Sequence, residues 1–220
     1  MNKKATSTAK PTVKVIGVGC GGNNIVNHIS TSHLEGLSFA ACDMDAKVLE
    51  KSAAATTLQI GTDGLGSGNS PEKARIAAED NTNAIKKLFE DKPSMTFVVT
   101  CLGGGCGTGA APVIARESKK MGITTIALAT LPFELEGERR FLQASGGIQN
   151  LARSTDALFL LNNQYIKEQY CDLAINQAFA NADDLLMEVT KSVIRAMTGP
   201  QQTTMKTSRI KAFFKRLKCK

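Results

Sequence analysis

The sequence has no run of apolar residues long enough to cross a membrane, and its first ten residues, MNKKATSTAK, contain no hydrophobic segment typical of an export signal. A membrane-spanning helix needs about 20 predominantly apolar residues, so none is predicted. The six cysteines include no C-x-x-C pair, which gives no support to a zinc site or a disulfide framework. We therefore expect a cytoplasmic protein with reduced cysteines and no metal bound by its own side chains.

Acidic residues are absent from the last part of the sequence. Residues 199–220 carry seven basic side chains and no acid, whereas the other residues comprise 20 basic and 20 acidic ones. The net charge of +7 therefore belongs to this tail, and no nucleic-acid partner is predicted for the rest. Apolar residues recur in the tail at helical spacing: Ile210, Phe213, Phe214 and Leu217. This pattern favours peripheral binding of residues 207–220 to an anionic membrane or docking into a groove, with a plain basic tail as the alternative.

Glycine, in contrast, is abundant and clustered. The densest segment has five glycines in seven positions: Gly103, Gly104, Gly105, Gly107 and Gly109. It follows an apolar run at 97–100, typical of a buried strand, and precedes a helix predicted to begin at Ala110 with Pro112 in its first turn. Segments at 17–22 and 61–70 likewise follow predicted strands at 12–18 and 57–60. Because glycines let backbone N–H groups approach an anion, each segment predicts a phosphate-binding loop.

Strands alternate with helices along the chain. Further strands are predicted at 37–42, 123–130 and 156–161, and helices at 23–33, 46–53, 71–90 with a break near 81–83, 110–121, 138–153 and 172–197. This alternation predicts a doubly wound, mostly parallel, six-stranded Rossmann-like α/β sheet. Residues 12–198 would form one domain, after a disordered arm at 1–11 and before the tail at 199–220. Ligands of such sheets bind at the carboxyl ends of the strands, where all three glycine segments fall.

Two nucleotide classes fit these segments. Gly17, Gly19 and Gly22 match G-x-G-x-x-G, and Asp43 follows about twenty residues later, which is typical of dinucleotide binding. An NAD(P)-dependent oxidoreductase is therefore one interpretation. Three glycine segments around one crevice suit a triphosphate better. The sequence lacks a G-x-x-x-x-G-K-[ST] motif, so backbone N–H groups rather than a P-loop lysine would hold the phosphates.

The segment GGGCGTGAAPVIA resembles the glycine signature of the tubulin/FtsZ family, in which GGGTGTG precedes an AAPV helix. KVIGVGCGGNNIVNHI, LQIGTDGLGSGNSPEKAR, LPFELEGERR and AFANADDLL extend the resemblance to bacterial FtsZ over about residues 12–198. It implies the fold of the FtsZ GTP-binding domain, with GTP or GDP as ligand and Mg²⁺ held through the phosphates. It also implies a role in cell division, in the cytoplasm or at the inner face of the membrane.

The resemblance assigns roles to individual residues. The α- and β-phosphates would contact Gly19, Cys20, Gly21 and Gly22, with Asn23 beside them and Asp43 near the ribose. The β- and γ-phosphates would contact Gly103, Gly104, Gly105, Cys106, Gly107, Thr108 and Gly109, and Ser67, Gly68 and Asn69 match the γ-phosphate loop. Glu136 and Arg140 would lie near the ribose and phosphates. Asn163 and Asp183 would read guanine, with Phe179 stacked near the base. A carboxylate at Asp183 can accept two hydrogen bonds that guanine offers and adenine does not.

Three departures from the family pattern predict weaker binding. Asp43-Met44-Asp45 stands where the family has Asn-Thr-Asp, and Asn162-Asn163-Gln164 stands where it has Pro-Asn-Asp. Cys106 replaces a threonine, so a weak thiol donor stands where the family has a hydroxyl. The cysteines at strand ends, Cys20, Cys42, Cys101 and Cys106, are interpreted as small packing residues rather than a metal or redox cluster.

The largest departure is at the end of the match, near residue 198. In the family an acidic N-x-D-F-A-D loop follows, enters the next subunit's nucleotide site and activates water. No catalytic residue is therefore predicted in this sequence. We expect little GTP hydrolysis unless full-length FtsZ or another FtsZ-like subunit supplies that loop in trans. With only the nucleotide face, the chain is expected to cap or modulate FtsZ-type filaments.

Overall fold

A six-stranded sheet forms the centre of the fold, and its strand pairs are parallel. The computed structural model describes residues 13–30, 36–164, 184, 188–192 and 196. Within these, the strands are β1 (Val13–Val18), β2 (Leu37–Asp43), β3 (Thr56–Gln59), β4 (Met95–Cys101), β5 (Thr124–Leu131) and β6 (Ala157–Asn162). Their spatial order is β3-β2-β1-β4-β5-β6. The predicted doubly wound α/β fold is confirmed.

Helices cover both faces of this sheet. In the described part of the chain they are α1 (Gly19–Ser30), α2 (Ala46–Glu50), α3 (Pro71–Asp80), α4 (Thr82–Lys87), α5 (Gly105–Lys120) and α6 (Glu138–Ser154). Ile25 of α1 belongs to the core on one face, with Val15, and Ile114 of α5 belongs to the core on the other, with Ile16. Burial on both faces explains why β1 and β4 carry apolar residues at consecutive positions, 15–16 and 97–99, rather than only at alternating ones. Among these helices, none is long and apolar enough to span a bilayer.

The predicted break near residues 81–83 separates α3 from α4. The side-chain amide of Asn81 donates to the carbonyl oxygen of Ala77 at 2.9 Å, and its backbone N–H donates to the same oxygen at 3.2 Å. A side chain that bonds to the backbone of the preceding turn competes with continued helix, so α3 ends here. The break is therefore confirmed.

Two helices begin earlier than the sequence predicts. α5 begins at Gly105 rather than Ala110, and α1 begins at Gly19 rather than Asn23. Pro112 consequently lies inside α5 and not in its first turn. Glycine has a low helix propensity, and tertiary contacts outweigh that propensity at these helix starts. The predicted glycine loops at 17–22 and 103–109 are thus largely first turns of helices.

Candidate functional site

The carboxyl ends of β1 and β4 form the crevice of the sheet. The two strands are neighbours, but α1 packs on one face of the sheet and α5 on the other. A crevice opens where helices leave adjacent strands in opposite directions. A Cβ placed on Gly19 would lie only 2.8 Å from the backbone nitrogen of Gly107, so the two helix N-termini adjoin. The N-terminus of a helix carries a partial positive charge from the helix dipole. Two such ends next to each other form a site that suits an anion.

Some glycines of α5 serve close packing. A Cβ on Gly109 would overlap the carbonyl group of Pro71, and one on Gly105 would lie 2.7 Å from the backbone nitrogen of Ser70. These contacts bring α5 directly against α3 and against the loop that precedes it. Backbone packing therefore requires part of the glycine run that the sequence predicts to bind phosphate.

Two other glycines face open space. Among the described residues, no atom lies within 4 Å of a Cβ placed on Gly68 or Gly104. Gly104 immediately precedes α5, and no side chain among the described residues caps the helix there. Its φ of −85° suits any residue, so neither strain nor packing requires glycine at this position. An uncapped helix end below open space is a suitable place for an anionic ligand.

The loop at 67–70 lies against the first turn of α5. Ser67 is buried in it, and Asn69 has a positive φ of 58°. The backbone oxygen of Asn69 accepts a hydrogen bond from the Gln143 amide at 3.1 Å, which ties the loop to α6. A Cβ on Gly105 would lie 2.9 Å from the carbonyl carbon of Asn69. The structure thus brings the predicted γ-phosphate loop next to the first turn of α5.

The connection between β5 and α6 lies next to the loop that precedes α5. Glu136 and Arg140 form an ion pair at 2.6 Å, and Glu136 also accepts the Phe133 backbone N–H at 2.8 Å. A Cβ on Gly103 would lie 3.0 Å from the backbone oxygen of Arg140. The N–H of Gly103 in turn donates to the Thr108 hydroxyl at 2.9 Å. These contacts bring Glu136 and Arg140 next to the loop before α5.

Asn163 follows β6 directly and is only 7% exposed. Among the described residues, its Oδ1 atom has no hydrogen-bond partner. A buried amide oxygen without a donor is costly, and a ligand can supply the donor. This position suits the predicted contact with a base. Phe179 and Asp183, the other predicted base contacts, lie outside the described residues.

Asp43, at the end of β2, is 3% exposed. Its Oδ1 accepts the backbone N–H groups of Met44 at 2.7 Å and Asp45 at 3.2 Å, and its Oδ2 accepts the Asn23 amide at 3.3 Å. Burial raises the pKa of Asp43, and the hydrogen bonds to its carboxylate oppose that shift. The sequence does not predict the hydrogen bond between Asn23 and Asp43.

The cysteines at the strand ends differ in environment. Cys20 is exposed and Cys101 half-buried, whereas Cys42 and Cys106 are buried. Burial raises the thiol pKa of Cys42 and of Cys106, so both are protonated at neutral pH. Within the described residues, no group of three or more His, Cys, Asp or Glu side chains is placed to hold a metal ion.

A doubly wound α/β sheet with an uncapped helix end and glycine-rich turns at its central crevice is typical of nucleotide-binding proteins. Residues 12–171 match the Tubulin/FtsZ family, GTPase domain, and the chain belongs to this family.

Relatives of known sequence agree with this assignment. The cell division protein FtsZ of Pseudomonas aeruginosa is 42% identical over 192 residues, covering 86% of this chain and 48% of that protein. FtsZ of Buchnera aphidicola is 39% identical over 192 residues, covering 86% of this chain and 50% of that protein. The chain therefore spans about half the length of the curated relatives that it matches.

Solved structures agree as well. The empty FtsZ dimer of M. jannaschii matches with a TM-score of 0.85 and 33% identity, over 94% of this chain and 61% of that one. CetZ2 from Haloferax volcanii, in a GTPγS-bound protofilament, matches with a TM-score of 0.78 over 87% of this chain and 60% of that one. Its identity is 21%, so that likeness shows the fold alone. The resemblance to FtsZ is confirmed, and the NAD(P) oxidoreductase interpretation is not supported.

Proposed function

We propose that this chain binds GTP and GDP in the crevice at β1 and β4. The observation that carries the proposal is the uncapped N-terminus of α5, which adjoins the N-terminus of α1 below open space at Gly68 and Gly104. This arrangement offers backbone N–H donors and helix-dipole charge to a phosphate chain. Membership of a GTPase-domain family supports guanine as the base.

Mg²⁺ would be held mainly through the phosphates. Protein metal sites for this ion are built on oxygen ligands, and Mg²⁺ commonly keeps several waters while it binds substrate phosphates. The described residues include no cluster of three or more potential ligands, so the nucleotide itself is the proposed source of coordination. The protein would contribute the backbone donors that fix the phosphates.

Asp183→Ala is expected to remove most of the preference for guanine over adenine nucleotides, by at least about 100-fold in the ratio of dissociation constants. The substitution removes the carboxylate acceptor of Asp183, to which guanine, and not adenine, can donate two hydrogen bonds. Titration calorimetry with GDP and ADP measures this ratio. Asp184→Ala is the matched control, because Asp184 is the neighbouring acid and is exposed. A ratio that is unchanged in Asp183→Ala, or equally reduced in the control, would refute the role of Asp183.

We further propose that the chain takes part in FtsZ-type filament assembly. Its relatives are cell division proteins, and a matching structure is an FtsZ dimer. Residues 199–220 carry no acidic side chain, so a polypeptide of these 220 residues needs a partner to supply the family's acidic loop in trans. Such a polypeptide would present a nucleotide face to a filament end and cap it, since head-to-tail growth needs two different surfaces.

Titration of the 220-residue polypeptide into polymerising full-length FtsZ of the same organism is expected to shorten filaments well below equimolar ratio. Light scattering follows polymer mass, and phosphate release follows hydrolysis, which should be slow for the polypeptide alone. The variant Gly104→Ala, which should hold nucleotide poorly, is the control and should cap less. Unchanged scattering at every ratio, with no complex in a pull-down, would contradict the capping role.

The location that we propose is the cytoplasm, at the division site, in keeping with the cell-division relatives. Residues 207–220 lie outside the described residues. Their binding to an anionic membrane surface therefore stays a prediction.

A further inference from the structure

The loop at 67–70 is a β-turn with a left-handed backbone. Its two central residues, Gly68 and Asn69, have φ values of 59° and 58°. The N–H of Ser70 donates to the Ser67 carbonyl oxygen at 3.2 Å and closes the turn. A left-handed conformation costs free energy for a residue other than glycine, and it persists where surrounding contacts hold it. Asn69 therefore depends on contacts from outside the loop.

The loop leaves two consecutive backbone donors unused. Among the described residues, the N–H groups of Gly68 and Asn69 donate to no acceptor. A Cβ on Gly105 would lie 2.7 Å from the Ser70 nitrogen, so the loop lies directly against the first turn of α5. Successive backbone N–H groups in a turn form a concave site for an anion. The loop and the uncapped end of α5 thus offer donors in adjoining places.

Gln143 of α6 contacts the loop through its side-chain amide. Its Nε2 atom donates to the Asn69 carbonyl oxygen at 3.1 Å. Its Oε1 atom is buried and has no hydrogen-bond partner in the described part of the chain. A reversed amide would place two acceptors against each other, so the Asn69 oxygen fixes the orientation of the Gln143 side chain. This hydrogen bond restrains the peptide group that follows the left-handed residue.

The same turn of α6 contacts the loop that precedes α5. Arg140 lies three residues before Gln143, on the same face of the helix. A Cβ on Gly103 would lie 3.0 Å from the Arg140 backbone oxygen. One turn of α6 therefore contacts both segments that border the N-terminus of α5, and Gln143 provides the hydrogen bond to the loop at 67–70.

We infer that Gln143 is a positioning residue for the terminal phosphate of GTP, and that its amide holds the loop at 67–70 with the N–H groups of Gly68 and Asn69 available to that phosphate. The inference rests on the nucleotide binding proposed above and on the assignment of this loop to the γ-phosphate. GDP lacks that phosphate. Loss of the Gln143 donor should therefore weaken binding of GTP more than binding of GDP, whereas a purely structural role would change both affinities alike.

Gln143→Met tests this role, because methionine keeps the approximate length of the side chain and removes its donor. Titration calorimetry with GDP and with GTPγS, a slowly hydrolysed analogue of GTP, measures both dissociation constants in the presence of Mg²⁺. Binding of GTPγS is expected to weaken about fivefold, the usual effect of losing one hydrogen bond, while binding of GDP stays within about twofold of wild type. Gln143→Ala should show the same difference between the two nucleotides.

Gln149→Ala is the matched control, since Gln149 is an exposed glutamine of the same helix. It should keep both wild-type dissociation constants. Hydrogen exchange of the protein without nucleotide provides a second readout. The Ser70 N–H, which is hydrogen-bonded within the loop, should exchange faster in Gln143→Met than in wild type or in Gln149→Ala.

Equal losses for GTPγS and GDP in Gln143→Met, or no loss for GTPγS, would overturn the positioning role and leave the nucleotide site standing. An unchanged exchange rate at Ser70 would likewise contradict it, because the loop would then be held without Gln143. A wild-type chain that binds neither nucleotide would overturn the proposed function, and this inference with it. If Gln143→Ala fails to fold, Gln143→Met still decides.

Discussion

Gly109→Ala is expected to destabilise the fold by about 3 kcal/mol, at the upper end of the usual cost of overpacking a close contact. The added methyl group would overlap the carbonyl group of Pro71 and lie 3.0 Å from the Cβ of Ala74. Pro71 contributes backbone atoms here, which cannot move aside as the end of a flexible side chain can. Urea unfolding measures the change in free energy of unfolding.

Gly146→Ala is the matched control for this substitution. Gly146 also lies within a helix, but a Cβ there would meet no atom of the described part of the chain within 4 Å. Alanine at an exposed helical position is expected to stabilise by up to about 1 kcal/mol relative to glycine. Equal unfolding midpoints for Gly109→Ala and wild type would show that α3 and α5 do not approach as closely as described.

Gly104→Ala is expected to weaken GDP binding about 10- to 100-fold, the cost of losing roughly one charge-assisted hydrogen bond to phosphate. A Cβ at this position meets no atom of the residues that the structure describes and would occupy the space above the N-terminus of α5. The backbone conformation is ordinary, so the free energy of unfolding without ligand should change by less than about 1 kcal/mol. Calorimetric titration with GDP, beside urea unfolding of the ligand-free protein, separates the two effects.

Gly104→Ala and Gly109→Ala thus differ in what they should disturb, although both add one methyl group to the same glycine run. The first should lose affinity and keep stability, and the second should lose stability. Full GDP affinity in Gly104→Ala, with Gly146→Ala as the common control, would place the phosphates elsewhere. A large loss of stability in Gly104→Ala would instead show that the space above α5 is filled by protein.

The sheet could be predicted from sequence because each strand is a short apolar run between turn residues. Residues 97–100, for example, lie within β4, which is buried on both faces. The helix starts could not be predicted in the same way. A cluster of glycines is consistent with a ligand loop and with close packing, and only the position of Pro71 against Gly109 shows that packing requires some of them.

The candidate site was predictable where residues follow directly from strand ends. Gly19, Gly104 and Asn163 all lie at carboxyl ends of parallel strands, which share one edge of the sheet. The contact between Asn23 of α1 and Asp43 of β2 was not predictable, because the two residues lie in separate segments of the sequence. Only the packing of α1 against the end of β2 shows that the Asn23 amide donates to the Asp43 carboxylate.

Thermal unfolding of the wild-type chain with GTP, GDP, ATP and NAD⁺ tests the central claim most directly. A ligand at 100 times its dissociation constant stabilises the folded state by about 2.7 kcal/mol, so a bound nucleotide raises the midpoint by several degrees. The account predicts this rise with GTP and GDP in the presence of Mg²⁺, and little or no change with ATP or NAD⁺. Stabilisation by NAD⁺ without stabilisation by GDP would contradict it.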